Sequence, residues 1–300
     1  MPEAIDVIML GSGSSVPTPQ RAHPAMLLIY RGQHLLFDCG EGTQTRLMAA
    51  GISPLKINKI FISHWHADHF SGLLPMLETM HLGSMKKTLE IYGPDAERFV
   101  DELLNLSYWS VGFDVKAINT DPEADMQRIY TGDGFDIFSI KAKHSVPANG
   151  YMFKEHDRWN IIVSRAKRFG LSGKVLNTIK ENGKIIKCGK TIMLSQIAKF
   201  TPGRRIIYSG DTAPCKAIFS AAKNADLLIH DSTFIEENKA TKIRHSSVAR
   251  VAKAAAHAHV KRLILTHFSH RYKNENDFLK IAKKYFKKTF LAKDGMRLRL

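Results

Sequence analysis

Cysteine is scarce in this chain of 300 residues, and its pattern argues against a disulfide-based protein. The three cysteines, Cys39, Cys188 and Cys215, are odd in number and have neither CxxC spacing nor a regular framework. Free thiols in a reducing compartment fit this usage better than a disulfide scaffold does. We therefore expect a cytoplasmic protein.

Long apolar runs are also missing. The chain opens with the strand-like stretch 4–10, and no basic segment precedes a long apolar run, so the sequence predicts neither a signal peptide nor a membrane span. Hydrophobic residues make up 44% of the chain, which is enough for a full core, and the length permits one or two domains. We expect one domain over 1–300, because the candidate site residues are dispersed along it.

Acidic residues are few, with 28 Asp and Glu against 44 Lys and Arg, and the net charge of +16 is confined to two segments. Between 150 and 200 there are eleven basic and three acidic residues, and between 261 and 300 there are twelve and three. Clustered basic charge favours phosphate backbones. A solvated surface rich in Lys is the alternative; nucleic acid is favoured for 150–200, and both interpretations stay open for 261–300.

The most informative motif is His64-Trp65-His66-Ala67-Asp68-His69, which follows the apolar stretch 57–62. Imidazole nitrogens and carboxylate oxygens are ligands that zinc accepts. The spacing allows His64 and His66 to face one metal while Asp68 and His69 face a second. Two metals about 3.5–4 Å apart form a hydrolytic centre, so the motif predicts metal-dependent hydrolysis.

Further ligands are needed to complete two sites, because each catalytic zinc takes about four or five donors including water. His144, Asp211 and His267 each follow an apolar, strand-like stretch. Loops at strand ends are where a scaffold gathers polar groups from distant parts of the sequence. These three residues are therefore candidate ligands.

The order His-x-His-x-Asp-His, His, Gly-Asp-Thr and His resembles that of the metallo-β-lactamase fold hydrolases, and the similarity runs nearly from end to end. More narrowly, the chain resembles the ribonuclease Z family, zinc phosphodiesterases that trim the 3′ end of precursor tRNA. The motifs that carry this resemblance are Gly11-Ser12-Gly13-Ser14-Ser15-Val16-Pro17-Thr18-Pro19, Asp38-Cys39-Gly40-Glu41-Gly42-Thr43-Gln44, Ser209-Gly210-Asp211-Thr212, His245-Ser246-Ser247 and Thr266-His267-Phe268-Ser269-x-Arg271-Tyr272.

The resemblance implies an α/β fold, the four-layer αβ/βα sandwich. Alternating patterns agree with it. Strands are predicted at 4–10, 25–31, 34–38, 57–63, 205–209, 226–231, 261–266 and 296–300, and helices at 73–81, 95–108, 214–224, 247–259 and 275–288. Pro75 should lie in the first turn of its helix or kink it.

The resemblance also implies roles for the candidate residues. His64, His66 and His144 are assigned to one zinc, and Asp68, His69 and His267 to the other. Asp211 is assigned as the carboxylate that bridges the two. Asp68 would also orient the attacking water or accept its proton, and His245 would act as the general acid.

Two further interpretations concern the surroundings of this site. The serines after His245 could instead form an ordinary helix N-cap, and both roles are compatible. Asp38 and Asp231 are expected to hydrogen-bond to metal-bound imidazoles. Arg271 would hold a substrate phosphate, with a surface ion pair as the alternative.

The basic interval 150–200 lies between His144 and Asp211, which must converge, so it is predicted to be an excursion from the domain. Ribonuclease Z has a protruding arm here that grips tRNA, which makes Lys167, Arg168, Lys174 and Lys184 candidate substrate contacts. In this chain Gly173 is followed by Lys174, where a proline is typical of the family.

The leading hypothesis is an endoribonuclease with two zinc ions per chain that cleaves the 3′ trailer from precursor tRNA, leaving a 3′-hydroxyl on the tRNA and a 5′-phosphate on the trailer. The resemblance also implies a homodimer, and no membrane partner is expected. One alternative is a hydrolase of the same fold acting on a small phosphodiester, lactone or thioester, which would need no remote basic segment. A noncatalytic RNA-binding protein is the other alternative, and it would need no dinuclear centre.

Overall fold

Two seven-stranded sheets face each other in the computed structural model, which describes residues 3–106 and 108–300. The first sheet has the order β18-β1-β2-β3-β4-β5-β6. Its strands are β1 (Asp6–Gly11), β2 (Ala25–Tyr30), β3 (Gln33–Phe37), β4 (Lys59–Phe61), β5 (Leu89–Gly93), β6 (Val115–Asn119) and β18 (Arg297–Arg299). Strands β3 to β6 are parallel, whereas β18, β1, β2 and β3 are paired antiparallel.

The second sheet has the order β17-β16-β15-β14-β9-β8-β7. Its strands are β7 (Met126–Gly132), β8 (Phe135–Lys141), β9 (Asn149–Glu155), β14 (Arg205–Tyr208), β15 (Leu227–Asp231), β16 (Leu263–Thr266) and β17 (Thr289–Leu291). Strands β14 to β17 are parallel, and β9 joins β14 antiparallel.

Helices cover the outer face of each sheet. Four helices alternate with the strands of the first sheet along the chain: α1 (Thr43–Ala49), α2 (Ala67–Phe70), α3 (Leu73–Leu82) and α4 (Ala96–Leu104). A short 3₁₀ helix lies at Pro54–Lys56. The second sheet has α8 (Lys216–Ala221), α9 (Glu237–Lys242), α10 (Val248–His257) and α11 (Asn276–Lys283). Among the described residues, no helix combines the length and apolar character needed to span a membrane.

Strand alternation explains the layers, because successive side chains point to opposite faces of a sheet. In β1, Val7 and Met9 belong to the core between the sheets, and Ile8 and Leu10 belong to the core under the first helices. Each sheet is thus buried on both faces. The predicted αβ/βα sandwich is confirmed.

Several helices end at residues other than those predicted from the sequence. The helix predicted at 275–288 ends at Lys283, and the chain then enters β17, an edge strand that the sequence did not reveal. The helix predicted at 95–108 is α4, which ends at Leu104, and Ser107 in that predicted span lies outside the described residues. Pro75 lies in the first turn of α3, as predicted.

The basic excursion is a small folded unit between β9 and β14. It contains β10 (Arg158–Ile161), α5 (Val163–Arg168), α6 (Val175–Asn182), β11 (Lys184–Lys187), β12 (Lys190–Met193), α7 (Leu194–Ile197) and β13 (Ala198–Thr201). Strands β10 and β13 pair at its base, and it has its own apolar core around Leu171, Ile179 and Ile197. Residues 150–155 belong to β9, so the unit, which we call the arm, starts only at Arg158.

A buried ion pair joins the two sheets beside the base of the arm. The side chain of Glu155 accepts hydrogen bonds from Arg204 Nε at 2.8 Å, from Arg204 Nη2 at 2.9 Å and from the Tyr30 hydroxyl at 2.9 Å. Arg204 also donates to the carbonyl of Leu300 at 2.8 Å. These bonds tie β9 and β14 to β2 and to the C-terminus.

Glu155→Ala should therefore destabilise the fold. It leaves Arg204 without its charge partner in a largely buried position, which costs about 3 kcal/mol. Urea denaturation of Arg98→Ala, which breaks an exposed pair with Glu102 on α4, provides the control and should give a nearly unchanged midpoint. Equal midpoints for both variants would contradict the role given to Glu155.

Candidate metal centre and active site

The candidate ligands converge because several parallel strands end at one edge of the sandwich. β3, β4, β14, β15 and β16 all point their carboxyl ends to this edge, where an α/β scaffold gathers polar groups. The loop after β4 carries His64 and His66, and the first turn of α2 carries Asp68 and His69. His144 lies between β8 and β9, and the other site residues, Asp211, His245 and His267, come from loops of the second sheet.

Three imidazoles form the first cluster. His64 Nε2 lies 3.0 Å from His66 Nδ1, and His144 Nε2 lies 3.2 Å from the same atom. All three residues can offer one nitrogen to a common ion. Burial lowers the pKa of each imidazole, that of His64 most strongly, so the three side chains are neutral and able to donate lone pairs.

The second cluster combines two carboxylates and two imidazoles. Asp211 Oδ2 lies 3.3 Å from His69 Nε2 and 3.2 Å from His267 Nε2. Asp68 Oδ2 lies 3.4 Å from His267 Nε2 and 3.6 Å from His69 Nε2. Asp211 Oδ2 is also 3.9 Å from His64 Nε2, so this oxygen stands between the two clusters.

The hydrogen bonds made by the ring nitrogens that face away from the clusters indicate which nitrogen of each imidazole carries the proton. Ser63 donates its hydroxyl to Asp38, so it accepts from His64 Nδ1 at 3.0 Å. His69 Nδ1 donates to Asp38 at 2.7 Å. In its neutral form, each of these rings therefore carries its proton on the outer nitrogen and directs a lone pair into the site.

The same assignment holds for the ligands from the second sheet. Thr233 donates to Asp231 and so accepts from His267 Nδ1 at 2.8 Å. His144 Nδ1 donates to the carbonyl of Arg244 at 3.2 Å. Inward lone pairs beside carboxylates repel one another unless a cation lies among them, so the donor set fits metal ions.

The charges at the second cluster support this fit. Desolvation lowers the pKa of His69, but Asp211, Asp38 and Asp68 outweigh it and raise the pKa well above the usual value. Burial likewise opposes ionisation of Asp68, yet His69 and His267 hold its pKa at about 2. The carboxylates are therefore ionised at neutral pH, and the cluster attracts positive charge.

His245 lies beside the clusters but is held differently. Its Nδ1 is 2.9 Å from Asp231 Oδ2, and its ring stacks on that of His267. Burial lowers its pKa, but Asp231 and Asp211 together raise it to about 9. The imidazole is protonated at neutral pH and can give up a proton.

The serines after His245 do not cap α10 through their side chains. Ser247 is the N-cap residue, yet its hydroxyl makes no capping hydrogen bond, and Ser246 donates to the carbonyl of Thr212 at 2.7 Å. The predicted capping of α10 by the serine hydroxyls is therefore absent, and His245 takes no part in capping this helix.

Close backbone approach explains Gly40 of the 38–44 motif and Gly72, against which it packs. A Cβ on Gly40 would lie 2.4 Å from the Asp68 carbonyl oxygen, and one on Gly72 would lie 2.0 Å from that of Gly40. Cys39 N donates to the His69 carbonyl at 2.8 Å. This packing brings Asp38, in the left-handed conformation with φ 56°, against His69.

Most predicted site residues meet at this edge, and a few do not. All seven candidate ligands and His245 converge here. Asp38 contacts His69 as expected, whereas Asp231 contacts His245 and reaches His267 through Thr233. The Arg271 side chain is exposed and makes no hydrogen bond or ion pair with another described residue.

Lys167, Arg168, Lys174 and Lys184 lie elsewhere, exposed on the arm. Sequence reasoning also missed three groups that orient the ligands: Ser63, Thr233 and Arg244. Ser63 and Arg244 stand directly before His64 and His245 of recognisable motifs, which is a usable signal. Thr233 adjoins none of those motifs, and its contact with His267 joins residues far apart in sequence.

Comparisons with known proteins place this geometry in a family. A model of the Anti-Pycsar protein Apyc1 matches residues 5–144, and a model of the Beta-lactamase superfamily domain matches residues 184–268. The chain is 36% identical over 290 residues to Ribonuclease Z of Sulfurisphaera tokodaii, covering 96% of both proteins. It is 38% identical over 272 residues to Ribonuclease Z of Thermococcus onnurineus, covering 89% of this chain and 86% of that one.

Solved structures agree with the sequence relatives. The short form of human tRNase Z aligns with a TM-score of 0.71 at 28% identity and covers 98% of each chain. The metallo-β-lactamase fold protein YhfI from Bacillus subtilis aligns with a TM-score of 0.72 at 22% identity, covering 99% of this chain and all of that one, which shows a shared fold. On the identity and coverage of these relatives, the chain belongs to the ribonuclease Z family.

Proposed function

We propose that this chain is a zinc-dependent endoribonuclease that removes the 3′ trailer from precursor tRNA. Water attacks the phosphorus, the bond to the 3′ oxygen of the tRNA breaks, and the products are a tRNA 3′-hydroxyl and a trailer 5′-phosphate. The observation that carries the proposal is a pair of ligand clusters with Asp211 Oδ2 between them, beside a His245 whose Nδ1 lies 2.9 Å from Asp231.

Each residue has a stated part in this reaction. His64, His66 and His144 would hold one zinc, Asp68, His69 and His267 the other, and Asp211 would bridge them. Two zinc ions, when bound, lower the pKa of a water and neutralise charge on the reacting phosphate. Asp68 is ionised and would accept the proton of the attacking water.

Proton donation to the leaving oxygen falls to His245. Its Nδ1 is engaged by Asp231, so Nε2 is the nitrogen that would give its proton to the 3′ oxygen. Asp231 stabilises the imidazolium before transfer and fixes the ring orientation. A buried carboxylate beside a titrating imidazole is the arrangement that this step needs.

The arm supports a polyanionic substrate. Residues 158–201 contain ten Lys and Arg and one Glu, and Lys167, Arg168, Lys174 and Lys184 have no ion pair among the described residues. Positive charge without acidic partners binds phosphate backbones. A small phosphodiester, lactone or thioester would gain nothing from it.

Strand direction supports a homodimer. β9 runs from the metal edge at Asn149 to Glu155, and β14 starts at Arg205 and returns toward Asp211. The arm therefore leaves the sheet at the opposite edge, about 20 Å from the metal edge at 3.3 Å per residue. In a homodimer, the arm of one copy could hold a tRNA whose scissile bond lies in the other.

Asp211→Ala should lose bound zinc and tRNA cleavage together, because it removes the carboxylate shared by both clusters. Zinc content by atomic emission and cleavage of end-labelled precursor tRNA provide the measurement, with circular dichroism to verify folding. Asp114→Ala, at an exposed position, is the control. A folded Asp211→Ala protein with two zinc ions and near-normal turnover would contradict the role of Asp211 as the shared ligand.

His245→Ala should retain zinc and bind precursor tRNA, yet cleave about 10²–10⁴ times more slowly, because only the proton donor is lost. Single-turnover kinetics with saturating enzyme isolate the chemical step. His257→Ala, at the exposed end of α10, should cleave at the normal rate. An unchanged single-turnover rate in His245→Ala would leave His245 with a packing role alone.

Replacing 162–197 by Asn-Gly should weaken tRNA binding and flatten its salt dependence, because most of the basic charge is removed. Ile161 and Ala198 are paired across β10 and β13, so a two-residue turn can close the ladder. Hydrolysis of a small chromogenic phosphodiester should survive, since all seven ligands and His245 lie outside the cut.

Two controls refine this test. Changing Lys167, Arg168, Lys174 and Lys184 to Gln should reproduce the loss of binding, and the same change at Lys283, Lys284, Lys287 and Lys288 tests the C-terminal basic segment. Mixing the armless protein with Asp211→Ala should restore some tRNA cleavage in a homodimer that shares arms. Normal tRNA cleavage by the armless protein would refute the role of the arm, and no recovery on mixing would refute the sharing.

A further inference from the structure

Arg244 lies directly before His245, in the short connection between α9 and α10. Its backbone is left-handed, with φ 57°. Its side chain is exposed, and its guanidinium forms no ion pair with another described residue. Nothing in the reaction proposed above uses it.

Two hydrogen bonds run in opposite directions between Arg244 and His144. The carbonyl of Arg244 accepts from His144 Nδ1 at 3.2 Å, and the Arg244 guanidinium donates through Nη1 to the His144 carbonyl at 2.8 Å. The pair therefore fixes both the ring and the backbone of His144. The first bond keeps the ring proton on Nδ1, so that Nε2 presents a lone pair toward His66.

The left-handed backbone is what makes this pair possible. An L residue is disfavoured there, and glycine would adopt the same conformation without strain. His259, at the end of α10, has a similar φ of 52° and makes no side-chain hydrogen bond to a described residue. Unlike His259, Arg244 donates a side-chain hydrogen bond to His144, a residue of the candidate metal site.

We infer that Arg244 is a positioning residue for the first zinc site. By holding His144 from both its ring and its carbonyl, it completes the site formed with His64 and His66, while the neighbouring His245 is placed by the same connection. The inference rests on the proposed function for its role in tRNA cleavage. The effect on His144 itself does not depend on the substrate.

Substitution at Arg244 should lower zinc affinity without lowering the stability of the fold. Arg244→Gly removes the guanidinium but relieves the backbone, so the unfolding midpoint of the metal-free protein should not fall. Zinc affinity at one of the two sites should fall about 10–100-fold, as expected when a group that orients a ligand is lost. The second site, around Asp211 and His267, should keep its affinity.

Titration of Zn²⁺ into metal-free protein against a chromophoric chelator measures the two affinities. Arg244→Lys should recover most of the loss, because an ammonium can still donate to the His144 carbonyl. His259→Gly changes an equivalent left-handed residue away from the site and should leave both affinities unchanged. Equal weakening of both sites, or no weakening in Arg244→Gly, would overturn the inference.

A second readout needs neither metal nor tRNA. Long-range ¹H–¹⁵N spectra of the metal-free protein report the tautomer of His144, which should be Nδ1–H in the wild type and in His259→Gly. In Arg244→Gly the carbonyl of residue 244 can still accept from Nδ1, but the His144 carbonyl is no longer held by the guanidinium, so the Nδ1–H tautomer should be less populated than in the wild type. An unchanged tautomer population would contradict the inference. A wild-type protein that cleaves no tRNA but shows these ring spectra would refute the proposed function and leave the role of Arg244 standing.

Discussion

The rest of this structure depends on two tyrosine hydroxyls that donate hydrogen bonds from the second sheet to the first. Tyr208, from β14, donates to Asp38 at 2.7 Å, and Tyr151, from β9, donates to the carbonyl of Ile62 at 2.6 Å. Both rings are buried in the aromatic core, where Tyr151 packs against Phe37 and Phe61 and Tyr208 packs against Phe37. Burial raises the pKa of both hydroxyls, so they remain donors.

Those two bonds lie directly under the metal centre. Asp38 orients His69, and Ile62 precedes the loop that carries His64 and His66. The ligands of the first sheet are thereby held in register with Asp211 and His267 of the second. A displacement of one sheet along the other would separate the clusters, so the core between the sheets sets the distances on which the chemistry depends.

Opposite charges are kept at opposite edges of the sandwich. The metal edge gathers Asp38, Asp68, Asp211 and Asp231, and although burial opposes ionisation, neighbouring imidazoles hold the pKa of the last three below the usual value. The other edge carries the Glu155–Arg204 pair and, beyond it, the basic arm. Under the proposed function, phosphate backbone would be attracted to the arm, and the acidic centre would need cations before it could accept a phosphate.

Local motifs were sufficient for the candidate ligands, for eight of the fourteen strands in the two sheets and for five helices, α3, α4, α8, α10 and α11. His64, His66, Asp68 and His69 are close in sequence, and strand-end positions marked His144, Asp211 and His267. Strands β5 to β9 lay outside the predicted spans although they have five to seven residues. The strands of the arm and β17 also escaped, because three or four residues carry too little periodicity to identify. The end of α11 at Lys283 was also hidden, since lysines continue at helical spacing beyond it.

Pairings between distant residues were decided only by the tertiary structure. The sequence determined the chemistry of the donors, because residue type sets which atoms can bind a metal or carry a proton. It did not determine that Thr233 would link Asp231 to His267, that Tyr208 would reach Asp38, or that Arg244 would hold His144. Tyr208 and Asp38 meet because the two sheets pack face to face. The other two contacts depend on how the loops of the second sheet fold against one another, and no local pattern encodes either arrangement.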